Sequence, residues 1–237
     1  MVGALPKDAS RFQALTALAC VQARLGEFTA ARKTAEGIRI QRELYADSAL
    51  ATLVRELART GRAEEAMTEI DRLPTGAAKV HALMHFGAGQ AEAGDKKDAR
   101  ASFEEAHRLI EDLKARPNTR VSAHDLATVR ADAGDYDGAM TTAEAYFPKR
   151  DDLGYANIAN SYAKAGDFKG ALKVVEKIGS DWWKLQSLRH VAAYQAQRGE
   201  SKAVLESIRL ASHLARAYAL VGLAEGMVPA TRSPGKK

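Results

Sequence analysis

Along the chain, apolar residues recur three and four positions apart, the spacing of one face of an α-helix. Tyr155, Ile158, Ala159 and Tyr162 stand at i, i+3, i+4 and i+7; Leu50, Leu53, Val54 and Leu57 repeat the pattern, and Leu15, Leu18, Ala19 and Gln22 repeat it with a polar last member. Each run leads to a glycine. Gln-Ala-Arg-Leu-Gly-Glu-Phe surrounds Gly26, Gln-Ala-Glu-Ala-Gly-Asp-Lys surrounds Gly94, and Tyr-Ala-Lys-Ala-Gly-Asp-Phe surrounds Gly166. Related phrases surround Gly61, Gly134 and Gly199, and the six glycines are separated by 35, 33, 40, 32 and 33 residues. Self-similarity at such a period marks an array of repeated supersecondary units.

The repeat has a physical grammar. A residue just past a helix end often adopts the left-handed conformation, which glycine reaches without a side-chain clash. The carboxylates that follow, at Glu27, Asp95, Asp135, Asp167 and Glu200, suit the positive end of the next helix. Five positions after each glycine stands a small or branched residue (Ala31, Ala66, Ala99, Ala139, Ala171, Val204), which lets two helices approach closely. Four residues later the pattern returns to Ile70, Phe103, Val175 and Ile208, with Ala35 and Ala143 as smaller versions. The expected fold is all-α: six helix pairs, with first helices over residues 10–25, 47–60, 79–93, 119–133, 151–165 and 183–198. A seventh first-type helix over 213–227, carrying Arg216, Leu220, Leu223 and Ala224, is expected to cap the array. The 40-residue step predicts a longer helix after Gly94, running through Leu109 and Leu113 to a stop near Arg116 before Pro117, with a protruding end. Residues 1–9 read as a lead-in, 10–227 as the repeat array and 228–237, with Pro229, Pro234 and Gly235, as a disordered tail.

Composition changes this picture little. The apolar set is rich in alanine and only 6% of residues are aromatic, which favours closely spaced helices over a bulky core. The single cysteine, Cys20, excludes an internal disulfide and a multi-cysteine metal site. It reads as a small packed residue, since nothing marks it as a nucleophile. The net charge of +5 comes from 35 basic and 30 acidic residues intermixed, which permits acidic partners and does not demand nucleic acid. No apolar run reaches the roughly 18 residues that cross a bilayer. The stretch Met1–Asp8 is too short and polar for a signal peptide, so a cytoplasmic chain is slightly favoured over an exported mature fragment. There is no phosphate loop, dinucleotide glycine fingerprint, Gly-x-Ser-x-Gly or Cys-x-x-Cys. No catalytic residue, metal or cofactor is assigned, and the chain reads as a binding scaffold.

The spacing resembles the tetratricopeptide repeat family over roughly Ser10 to Met227. Tyr155, Ile158, Ala159, Tyr162, Gly166, Asp167, Phe168 and Ala171 fall on that family's pattern, and Gly134-Asp135-Tyr136-Asp137-Gly138-Ala139 matches its turn segment. The sequence departs from it in a period often of 32 or 33 residues and in the missing terminal proline. The resemblance implies a right-handed α-solenoid of about six helix-turn-helix repeats whose first helices line a groove. It places the positions thirteen, ten, nine and six before each glycine in that groove. These are His81, Met84 and His85 in the third repeat, then Val121, His124, Asp125 and Thr128 in the fourth. The fifth contributes Asn157 and Asn160, and the sixth Gln186, Arg189 and His190. The first two repeats supply Gln13, Thr16, Ala17 and Cys20, then Ser48, Thr52 and Arg55. Four of the six histidines fall on these positions.

The implied function is capture of a peptide or partner protein, with His81, His85, His124, Asp125, Asn157, Asn160, Arg189 and His190 as groove residues. Family members that hold a C-terminal carboxylate use lysine, asparagine and arginine there. Asn157 matches, but His124, Thr128, Gln186 and His190 replace the rest, so the clamp is incomplete. Contact of His124 and His190 with an acidic peptide would strengthen below about pH 6.5. Two readings compete. His81 and His85, four apart, can share a metal ion with His124 or Asp125. Alternatively the stretch Tyr155–Gly166 looks like a pentatricopeptide repeat, which reads RNA bases; the position ten before each glycine holds Thr16, Ala51, Met84, His124, Ala156 and Arg189, which form no consistent code. Trp182 and Trp183, after a helix start at Ser180-Asp181, read as one packed and one junction-covering tryptophan, or as a partner anchor.

Overall fold

Six glycines turn the chain. Gly26, Gly61, Gly94, Gly134, Gly166 and Gly199 all have positive φ, between 79° and 95°. At Gly166 (φ 95°, ψ 7°) the N–H donates to the carbonyls of Tyr162 and Ala163, which closes the preceding helix. The next residue opens the following one: the Asp167 carboxylate accepts the N–H of Gly170 at 2.8 Å. Asp95 does the same for Asp98 at 3.3 Å, a local bond of the kind that supports a helix start by about 1 kcal/mol. Asp135 is used differently, as an ion-pair partner of Arg100 and Arg130.

The computed structural model describes residues 9–39, 43–113, 119–147, 151–209 and 212–228. All regular structure among them is helical. The first half holds α1 (Ala9–Arg24), α2 (Phe28–Arg39), α3 (Glu43–Arg59), α4 (Ala63–Asp71), α5 (Ala77–Glu92), α6 (Lys96–Asp112) and α7 (Thr119–Asp132). There follow α8 (Tyr136–Tyr146), α9 (Asp152–Ala165), α10 (Phe168–Glu176), α11 (Asp181–Gln197), α12 (Ser201–Ser207) and α13 (His213–Met227). No helix among the described residues is long and apolar enough to cross a membrane.

The chain divides into two compact units, Met1–Gly138 and Ala139–Lys237. In the first, α1, α3, α5 and α7 pack side by side, and α2, α4 and α6 each bridge two of them. In the second, α9, α11 and α13 pack side by side, with α10 and α12 as the bridging helices. All six small residues five positions after the glycines are buried, as are Ile70, Phe103 and Val175; Ile208 is half-buried. Burial of each large member contributes about 1.5–3 kcal/mol. The first-type helices approach very closely where glycine allows it. A Cβ on Gly89 would stand 2.3 Å from the Arg55 carbonyl oxygen, and one on Gly222 would stand 1.9 Å from that of Arg189.

Three local expectations are corrected. Helix α6 passes Leu109 and ends at Asp112, short of Arg116, and Leu109, Ile110 and Leu113 are buried. These three apolar side chains have a core to enter, and the stretch expected to protrude, residues 114–118, lies outside the described residues. In α1 the buried residues are Phe12, Ala19 and Ala23, while Leu18 is exposed. In α13 the buried residues are Ala219, Gly222 and Gly226; Leu220 and Ala224 face solvent. Close contact with α11 selects the smallest face of α13, not the bulkiest. The lead-in up to residue 8, residues 114–118 including Pro117, and the tail from residue 229 lie outside the described residues.

Candidate partner-binding cleft

In the first unit, the side-by-side packing of α1, α3 and α5 opens a cleft of about 340 Å³, lined by Arg24, Thr52, Arg55, Glu56, Arg59, His85 and Glu92. Thr52, Arg55 and His85 were expected in a groove. Arg24, Arg59 and Glu92 were not, although their position has a sequence signal: all three stand two residues before a turn glycine. Positions thirteen, nine, six and two before the glycine form one helical stripe, spaced four, three and four apart. The position ten before the glycine leaves that stripe. Ala51, Met84 and Ala156 occupy it and are buried, Met84 to 1% exposure, so Met84 is a core residue and not a groove residue.

The cleft is electrostatically structured. Arg55 donates to Glu92 across the α3–α5 junction, and Arg59 Nε donates to Glu56 Oε2 at 2.7 Å. The guanidinium of Arg24, at the exposed end of α1, has no ion-pair partner among the described residues. Three arginines thus face two carboxylates, and both carboxylates are already paired. Thr52 donates to the Ser48 carbonyl at 2.9 Å and accepts from Cys20 Sγ at 3.3 Å. That contact ties Cys20, half-buried, into the α1–α3 junction.

Further along α5, His81 and His85 meet edge to face with ring centroids 4.7 Å apart. Burial pushes His85 down to about 4, helped by the neighbouring His81 and Arg55. Burial also lowers His81, with Asp125 acting against it. Asp125, exposed on α7, is raised by partial desolvation and opposed by His81 and His124. His81 thus lies near His85 on its own helix and near Asp125 of α7, where Asp125 adjoins His124. Among the described residues no three His, Cys, Asp or Glu side chains converge as metal ligands.

In the second unit the expected residues mostly join helices. His190 Nδ1 lies 3.2 Å from Asn160 Oδ1, linking α11 to α9. Arg189 Nε donates to Glu225 Oε2 at 2.8 Å, linking α11 to α13. Asn157 is half-buried on α9, and its carbonyl accepts from Ser161. Trp182 and Trp183 meet edge to face at 4.7 Å, with Trp183 half-buried and Trp182 54% exposed.

No protein-family model matches the chain, and no curated protein does. Among solved structures, the chain is similar to the crystal structure of Ton1535 from Thermococcus onnurineus NA1. The identity is 16%, covering 94% of this chain and 81% of that one, with a TM-score of 0.29.

Proposed function

We propose that this chain is a non-catalytic, tetratricopeptide-like scaffold whose helix pairs stack in the right-handed sense that the sequence resemblance implies. Its partner is a protein segment that lies across the first helices of the first unit and presents a carboxylate to the cleft of α1, α3 and α5. The supporting observation is the charge pattern of that cleft. Arg55 and Arg59 are each occupied by a glutamate, while Arg24 stands at its edge without a counter-ion among the described residues. A carboxylate from a partner completes the set, and Thr52 and His85 supply polar contacts beside it. His85, held neutral, acts there as a hydrogen-bonding group and not as a cation.

Base reading by a pentatricopeptide-like mechanism finds less support, because the side chains ten residues before three of the glycines are buried in the core. The test is selection of peptides from a display library on the purified chain, followed by affinity measurement against Arg24→Glu and Thr52→Ala. Selected peptides should carry Asp or Glu, weaken with salt, and bind Arg24→Glu about tenfold or more weakly, the loss of one charge-assisted hydrogen bond. Peptides that bind Arg24→Glu as well as wild type would refute this assignment. Selective recovery of nucleic acid would favour the RNA reading.

A further inference from the structure

We propose that α13 is a docking face for a second copy of this chain, the two α13 helices packing antiparallel about a two-fold axis near Val221. Helix α13 buries Ala219, Gly222 and Gly226 against its own unit. Its opposite face carries Leu214, Leu220, Val221 and Met227, and the capping residue Val228 follows them, all five between 41% and 63% exposed. Leu214, Val221 and Val228 are seven apart, as are Leu220 and Met227, with Ala217 and Ala224 between them. That is the heptad spacing of a helix-to-helix seam. A helix face of this kind in water marks a surface that another helix covers.

The stripe itself carries no charged side chain, and Glu225, exposed beside it, is paired with Arg189. Arg216 Nη2 donates to the Arg209 carbonyl at 2.7 Å. Both charged side chains of the helix are thereby bound within its own unit, and among the exposed residues of α13 the only other polar one is His213. The occupant is argued from self-complementarity. An uncharged heptad stripe running the length of one helix matches its own copy when turned about a two-fold, Leu214 meeting Val228 and Val221 meeting itself. The five large side chains leave roughly 400–500 Å² in water, the size of patch that marks an interaction site on a monomer. Pairing two such faces buries up to roughly 800–1,000 Å², at the small end of specific interfaces.

This surface is separate from the cleft, so the two assignments fail independently. Light scattering after gel filtration should give twice the 25.6 kDa chain mass, falling to the single mass in Val221→Glu with helical content unchanged and staying double in Arg24→Glu. A Cys20→Ser/Val221→Cys variant should form a covalent dimer on oxidation, which keeps the test valid if the glutamate variant misfolds. A wild-type chain that remains monomeric at its highest soluble concentration would overturn the proposal. So would a dimer that persists in Val221→Glu or species larger than two.

Discussion

Arg130 is the sharpest place to perturb the first unit. Its side chain is 1% exposed, although it sits on the last turns of α7. The guanidinium donates to Glu104 at 2.8 Å, lies 3.8 Å from Asp135 and stands 5.8 Å from the centre of the Phe103 ring. It thereby joins α6, α7 and the turn that follows Gly134. Arg130→Ala removes one partner of a buried ion pair and leaves Asp135, itself buried, short of a counter-charge. Breaking such a pair costs about 3–5 kcal/mol. The lower end applies, because Asp135 keeps Arg100 at 3.3 Å and Glu104 is free to turn to water. A loss of about 3 kcal/mol lowers the melting temperature of a chain of this size by about 10 °C. Glu104→Ala removes only the exposed partner and should cost about 1 kcal/mol or less. Both variants are read by thermal and urea unfolding followed by far-ultraviolet circular dichroism. The reasoning fails if Arg130→Ala melts within about 3 °C of wild type, below the shift expected for 1 kcal/mol, or if the two variants cost the same.

Two further outcomes follow from the packing and the titration behaviour. Gly222→Leu drives a side chain into the Arg189 carbonyl, where even a Cβ has only 1.9 Å; overpacking of about 1–3 kcal/mol or more should separate α11 from α13 and lower the unfolding midpoint, whereas an unchanged midpoint would mean that the helices stand further apart. His85, pushed down to about 4, should show no ring-proton titration near pH 6.5 in NMR spectra. Its folded value lies below its unfolded one, so its contribution to stability is present above about pH 6.5 and is lost as pH falls through about 4. A His85 midpoint near 6.5 would contradict the burial that sets this direction.

The fold class was legible because its determinants are local. A 3.6-residue apolar period needs no partner to be recognised, and a glycine that must adopt positive φ is visible from its place after a helical run. Hence all six turn glycines and the small buried residues five positions later could be read from the chain alone. The candidate cleft was legible in part. Thr52, Arg55 and His85 lie on positions expected to line a groove; Arg24, Arg59 and Glu92 continue the same stripe two residues before the glycines, and the packing of α1, α3 and α5 shows that the cleft extends to them.

Other assignments depended on distance between helices, which periodicity does not encode. Met84 looked like a groove residue and is core, because its position points at the neighbouring helix. Arg189 and His190 looked available to a ligand, yet packing brings Glu225 and Asn160 within hydrogen-bonding reach of them. Sequence by itself determined that this chain forms helices, where they turn, and which small side chains let them pair. Tertiary structure decided which face of each helix is spent on its neighbours. Close approach at Gly89, Gly222 and Gly226 selects the smallest face for the interior, and in α13 that choice leaves the large apolar residues in water.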